Sequence, residues 1–235
     1  EPLTALTAMA AVTTRVRLAT NVLIAPLRRA VVLAKVASTL DVLSHGRFEL
    51  GVGIGWQEAE YRAAGVDFRR RGRVLDETLA VCRELWTSGE VTFSTEQFAL
   101  DDVHMMPKPT DPNGVPIWVG GRAIPATARR LARFGVGWIP WGVTRENIED
   151  VLLTMSKLVE AEGRDFSTLQ VAYGLPTVRS SNGGLDFAAM FEPVPMLIDS
   201  GVTDFRTMVR LPVGYAQARR ALEELVGHYA EAITS

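Results

Sequence analysis

Apolar and polar positions along this chain keep two rhythms that take turns. From Pro2 to Thr14, Leu3, Leu6 and Ala10 recur at helical spacing behind a first-turn proline, which predicts a helix. Val16 to Ala25 predicts a strand and Ala30 to Leu43 a helix. Phe48 to Gly53 predicts a strand, followed by helical stretches up to Trp86. The alternation resumes with a strand at Ile117 to Gly120, a helix at Pro125 to Phe134 and a strand at Gly137 to Pro140. Thr144 to Glu162 then predicts a long helix, Leu169 to Val178 a strand and Phe187 to Ser200 a helix. Asp204 to Arg210 predicts a last strand and Ala216 to Ile233 a closing helix. Two stretches break the pattern. Glu90 to Val103 alternates around Ser94-Thr95-Glu96 like a β-hairpin and runs into proline-rich sequence, an excursion spanning about 90–115. Ser180-Ser181-Asn182-Gly183-Gly184 predicts a flexible loop.

Six strands each followed by a helix imply parallel β/α units. The closed form of that architecture is the (β/α)8 barrel, and a chain that begins on a helix with six strands suggests a barrel lacking its first two. An open doubly wound sheet is the alternative that periodicity leaves standing. With no Ser/Gly/Pro-rich linker, repeat or low-complexity tract, residues 1–235 are expected to form one domain.

Composition narrows the partners. A hydrophobic fraction of 47% is ample for a core, and a net charge of -2 gives no reason to expect nucleic acid. A single cysteine, Cys82, cannot form an internal disulfide and suits a reducing cytoplasm. No apolar run reaches the roughly 18 residues of a membrane span, and no signal peptide is expected before the first helix. No metal-ligand spacing and no Ser/His/Asp or Cys/His arrangement stands out, so the catalytic residues are unassigned and no metal is expected.

The chemistry concentrates in Leu43 to Trp56. A polar Gly turn feeds a short apolar run that ends in alternating glycines, Gly51, Gly53 and Gly55, just before an amphipathic helix. Glycine lets backbone N–H groups approach a ligand, and a helix N-terminus favours an anion there, so this strand end reads as a phosphate holder. A dinucleotide-binding G-x-G-x-x-G turn is excluded by spacing, because the third glycine would fall on Trp56 or on Glu58. Gly120-Gly121 forms a second glycine-rich strand end.

Thr13-Thr14-Arg15-Val16-Arg17-Leu18-Ala19-Thr20-Asn21-Val22 opens an ordered set of motifs. Thr39-Leu40-Asp41-Val42-Leu43-Ser44, Gly51-Val52-Gly53-x-Gly55-Trp56 and Gly65-Val66-Asp67-Phe68 follow, then Pro107-Lys108-Pro109, Pro116-Ile117-Trp118-Val119-Gly120-Gly121 and Gly137-Trp138-Ile139-Pro140. In order and spacing these resemble the luciferase-like monooxygenase family over residues 2–141, and more weakly beyond. Within it the chain is most similar to the branch that uses the deazaflavin F420, although FMN-dependent members share most of the motifs. The resemblance implies a (β/α)8 barrel with the cofactor across the C-terminal strand ends. Thr20, Asn21 and Val22 would pack against the ring, and Gly53 and Gly55 would lie beside the ribityl chain and phosphate. Gly120 and Gly121 would help bind the phosphate, with Arg122 within reach of it or facing solvent.

Two departures stand out. The family's usual Gly-Asp-Gly-Trp is Gly135-Val136-Gly137-Trp138 here, and the region that commonly supplies an active-site His has no counterpart in this sequence. Plainer readings compete at several positions. Gly53 and Gly55 can be turn residues, Thr20 and Asn21 ordinary strand-end residues. Trp118 and Trp138 default to core packing, while Trp56 and above all Trp141 are candidates for a substrate pocket. His45, His104 and His228 read as structural or surface residues. Arg69-Arg70-Arg71 reads as a solvated approach to a helix, with Arg71 paired to Glu77.

The expected function is hydride transfer with F420 to or from a small organic substrate. The alternatives are an FMN-dependent monooxygenase, a non-catalytic or cofactor-free paralogue with an incomplete barrel, and an unrelated phosphate-binding barrel enzyme. The last is disfavoured because no Lys or acidic pair marks the strand ends. A homodimer is the expected assembly.

Overall fold

Helix and strand alternate as the hydrophobic periods require. The computed structural model describes residues 1–181 and 183–234. Helix α1 (Pro2–Val12) leads to two short strands, β1 (Leu18–Ala19) and β2 (Leu23–Ile24), then α2 (Ala30–Leu43) and β3 (Phe48–Gly53). Helices α3 (Glu58–Ala63) and α4 (Arg71–Thr87) precede a separate antiparallel hairpin, β4 (Glu90–Ser94) and β5 (Ala99–His104). The repeat continues with β6 (Ile117–Gly121), α5 (Pro125–Phe134), β7 (Gly137–Pro140), α6 (Ile148–Ala161) and β8 (Gln170–Leu175). It ends with α7 (Phe187–Phe191), α8 (Val194–Asp199), β9 (Asp204–Thr207) and α9 (Tyr215–Ala232).

The main sheet has seven strands in the order β1-β3-β6-β7-β8-β9, with β2 also paired to β3. Since β1 and β2 share one neighbour, they occupy one position, and the sheet has the six positions that the sequence predicts. All its pairings are parallel. Among the described residues β1 and β9 do not pair, so the sheet is an open, curled part of a barrel.

Side chains alternate between the faces of a strand, and Cα partners in neighbouring parallel strands share a face. One face therefore carries Glu49, Gly51 and Gly53 from β3, Trp118 and Gly120 from β6, Gly137 and Ile139 from β7, Gly174 from β8, and Asp204 and Arg206 from β9. This face is concave. Arg206 lies with its guanidinium 4.5 Å from the Trp118 ring, across two intervening strands, and its Nη1 donates to Asn21 Oδ1 at 2.9 Å on the far edge.

The opposite face of β3, made of Phe48, Leu50 and Val52, is wholly buried. Ala30, Ala34 and Ala37 present small side chains on α2, which lets α4 approach closely. Trp86 Nε1 donates to Ala34 O at 3.0 Å and Cys82 Sγ lies 3.8 Å from Ala30 O. Leu33, Leu40, Leu75, Leu79 and Leu85 fill this layer, each worth about 1.5–3 kcal/mol on burial.

Element ends differ from the sequence reading where packing or turn chemistry decides. The strand expected over Val16 to Ala25 is split at Thr20–Val22, where the Asn21–Val22 peptide is cis. The helix expected over Phe187 to Ser200 breaks into α7 and α8 at Pro193, whose ring cannot continue the hydrogen-bond ladder. The helix expected from Thr144 starts at Ile148, because Asn147 Oδ1 accepts from Thr144 N and folds the preceding residues into a turn. The strands expected to reach Val178 and Arg210 end at Leu175 and Thr207. In the Ser180–Gly184 loop, Asn182 lies outside the described residues.

Candidate functional site

The C-terminal rim of the sheet brings together three segments that are far apart in sequence: 20–22, 53–55 and 120–122. The glycines make the approach possible. A Cβ on Gly51 would stand 1.9 Å from Thr20 O, and one on Gly53 would stand 2.7 Å from Val22 Cγ2. On Gly120 it would meet Val22 Cγ1 at 3.0 Å, and on Gly55, whose φ is +64°, Ile24 at 3.0 Å. These four positions lack side chains so that residues 20–24 can cross β3 and β6 tightly. Thr20 fixes the crossing with a buried hydrogen bond from Oγ1 to Gly51 O at 2.7 Å. Above it the Val22 side chain covers Gly53 and Gly120 and stays 37% exposed, a small apolar platform at the rim.

Gly121 looks the other way. Its Cβ would meet Thr127 Oγ1 of α5 at 2.9 Å, so it seats that helix rather than facing the hollow. No side chain caps the start of α5, which leaves its first-turn N–H groups without side-chain acceptors next to the Gly120-Gly121 turn. Such an end suits an anion. Arg122 is exposed there and stacks on Trp141, with Cζ 4.9 Å from the ring. Trp141 is 61% exposed and Trp56 72% exposed; both stand at strand ends on the same rim.

Three groups on or behind this rim escaped the sequence reading. Tyr61 of α3 is fully buried and its hydroxyl donates to Ile54 O, clamping the Gly53–Gly55 turn from behind. Burial pushes its phenol up to about 12. Phe68 packs edge-on against Tyr61 at 5.4 Å, and Arg71 lies 3.8 Å from the Phe68 ring. Deeper in the hollow, buried Glu49 pairs with Arg17 and accepts from Trp118 Nε1 at 3.1 Å. Trp118 in turn supports Arg206, whose Nε donates to Asp204 Oδ1 at 2.7 Å. The signal for the last pair was Asp204-x-Arg206, two charges on one face of a strand.

Elsewhere the plainer readings hold. His45 is exposed in the turn at the opposite end of β3. His228 packs beside Phe187 on α9. His104 is exposed on the hairpin, 3.5 Å from Glu90, and with Asp102 these groups bring one ligand atom each within 4.8 Å of one another. Trp118 and Trp138 are buried. The expected Arg71–Glu77 pair does not form. Arg71 instead donates to Phe68 O at 2.8 Å, while Arg70 and Arg73 both reach Glu96 on the hairpin, and Glu77 accepts from Gln97 N. The hairpin folding back on α4 is what redirects these partners.

Comparison with known proteins gives one consistent result. The family described as luciferase-like monooxygenase matches residues 1–182. An uncharacterised protein of Mycobacterium tuberculosis is 34% identical over 206 residues, which is 87% of this chain and 67% of that protein. The chain thus spans about two thirds of that relative's length. Pyrimidine monooxygenase RutA of Yersinia enterocolitica is 37% identical over 117 residues, covering 48% of this chain and 32% of the other. The solved structure of an F420-dependent secondary alcohol dehydrogenase superposes with a TM-score of 0.80 at 18% identity, over 97% of this chain and 84% of that one.

Proposed function

The chain belongs to the luciferase-like monooxygenase family, and on that premise we propose that it is an oxidoreductase that binds F420 at the rim and transfers hydride to or from a small organic substrate. The observation that carries this reading is the convergence of Val22, Gly53, Gly120 and the uncapped start of α5 at one end of the sheet. The residues present fit such a group. Val22 offers an apolar face to a flat ring, with Thr20 and Asn21 beside it. The turn at Gly120-Gly121, the α5 N-terminus and Arg122 would receive a phosphate without a cationic cluster. Gly53 and Gly55 hold the segment that carries the platform, and Tyr61 holds them. Trp56 and Trp141 would wall the substrate side and limit water.

When bound, the deazaflavin supplies the hydride chemistry, while the protein's part is binding, orientation and exclusion of water. The likeness to an F420-dependent dehydrogenase and the sequence resemblance to the F420 branch support this choice. A second reading, an FMN-dependent monooxygenase acting on a small substrate, draws support from the RutA relative. A third reading is a cofactor-free paralogue. A second copy of the chain is the assembly partner in each reading, in a cytoplasmic setting; no helix among the described residues is long and apolar enough to cross a membrane.

The test is titration of the purified protein with F420 and with FMN, followed by fluorescence. Saturable binding of F420, and its reduction in the presence of an alcohol substrate, is the expected result. Binding of FMN alone selects the monooxygenase, and failure of both at micromolar concentration leaves only the paralogue.

A further inference from the structure

Arg206 has no role in the cofactor reading, yet its environment is built, and it shares only Asn21 with that reading. It projects from β9 onto the concave face, level with Gly174 of β8, where an added Cβ would meet nothing within 4 Å. The space beside it is open. Three contacts fix its guanidinium: Nε to Asp204 Oδ1 at 2.7 Å, Nη1 to Asn21 Oδ1 at 2.9 Å, and the Trp118 ring at 4.5 Å. Trp118 is itself pinned by Glu49. The Arg206 side chain is only 17% exposed.

A guanidinium carries five N–H donors in a rigid fork. Protein groups take one from Nε and one from Nη1, and the Nη2 amino group donates to no protein atom among the described residues. A side chain held on one edge and stacked on one face, with its other donors unspent, is preorganised for a planar pair of oxygens. Beyond β9 the chain carries exposed Met208, Arg210 and Leu211, a mixture of apolar and cationic side chains. The combination is a guanidinium held in place by its ion pair with Asp204, with donors left over.

We propose that Arg206 is the specificity-determining residue of this site, gripping a carboxylate on the substrate. The inference rests on the reading of the concave face as a ligand site and deepens it, by naming the substrate class. The same oxygens could belong to the cofactor's ring carbonyls, and the test separates the two sources.

The experiment uses benzoate as the probe and Trp fluorescence as the readout, since Trp118 touches the guanidinium. Wild-type protein is expected to bind benzoate saturably and to bind benzamide, its uncharged analogue, more weakly. Arg206→Met keeps an unbranched apolar stem but removes the guanidinium fork. It is expected to weaken benzoate roughly ten- to a hundredfold, the worth of hydrogen bonds to a charged group. Arg206→Lys, with charge but no fork, is expected to fall between. A thermal melt of each variant shows that the fold is retained. Benzoate binding that persists with F420 or FMN bound places the carboxylate on the substrate, whereas competition by the cofactor assigns Arg206 to the cofactor's own oxygens and overturns the proposal. Equal benzoate affinity in wild type and Arg206→Met also overturns it, as does absence of saturable binding. Wild-type protein that binds benzoate but neither cofactor keeps the Arg206 site and refutes the oxidoreductase reading instead.

Discussion

Tyr61→Phe isolates one atom that holds the glycine turn. The phenol hydroxyl donates to Ile54 O from a fully buried side chain, while the ring keeps its edge contact with Phe68 at 5.4 Å in the variant. The change thus removes a hydrogen bond without opening a cavity, and the cost is that of a buried carbonyl left without a donor, about 1–3 kcal/mol. For a chain of this length each kcal/mol lowers the melting temperature by roughly 2–4 °C, so a loss of about 2 kcal/mol means a drop of roughly 4–8 °C. Tyr61→Ala adds a cavity and is expected to cost about 3–5 kcal/mol.

The pH dependence gives an independent check. Burial raises the Tyr61 phenol from its ordinary 10 to about 12, so the folded state favours the neutral form. The stability this contributes is fully present below pH 10 and is lost as pH climbs toward about 12. Tyr61→Phe has no such group and should lose stability more gently across that window. Tyr173 and Tyr229, also pushed up by burial, keep part of the alkaline loss in both proteins. Thermal melts at a series of pH values read both effects. A melting temperature within about 1 °C of wild type, or parallel alkaline limbs, refutes the clamp.

Other consequences are equally direct. Gly51→Ala is expected to abolish soluble expression, because its Cβ would overlap Thr20 O, whereas Gly174→Ala, with open space around it, should melt within a degree or two of wild type; yield and thermal melts check both. Asp76→Ala removes the carboxylate that meets buried Arg130 at 2.5 Å and is expected to cost about 1–3 kcal/mol in urea unfolding, more than an exposed pair would. Cys82 is buried with its thiol pushed up by desolvation, so a thiol-reactive disulfide reagent should leave the native protein untouched and titrate one thiol once denaturant is added.

The order of elements was legible because each buries one face, and that leaves a period in the sequence. Their ends were less so. Nothing in Val16 to Ala25 alone announces that the strand breaks at Thr20–Val22, since the break exists to cross β3. Partner choice was least legible: Arg71 and Glu77 lie six residues apart, too far round the helix to meet, and the hairpin instead brings Glu96 to Arg70 and Arg73 and Gln97 N to Glu77. Arg206 could not be assigned a role from sequence, since one of its partners, Asn21, lies 185 residues away.

The glycines show how positions singled out for a ligand can also have a reason in the packing of the chain itself. Spacing reads Gly53 and Gly55 as room for a ligand, while in the fold an added side chain at Gly51, Gly53, Gly55 or Gly120 strikes residues 20–24 of the chain itself. The two roles are linked physically: the same missing side chains that let this segment cross also set Val22 on top, where a ring would rest. A substitution at Gly53 or Gly120 therefore displaces Val22 whether or not a ligand binds, and loss of binding there says nothing about direct contact. Arg122 and Arg206 differ. Arg122 is exposed and stacks on one side, and Arg206 keeps donors that no protein group uses. Removal of Arg122 leaves the crossing of residues 20–24 in place, so a change in affinity there reports on the ligand; removal of Arg206 also takes a hydrogen bond from Asn21 within the crossing, so its effect on affinity is read beside the thermal melt.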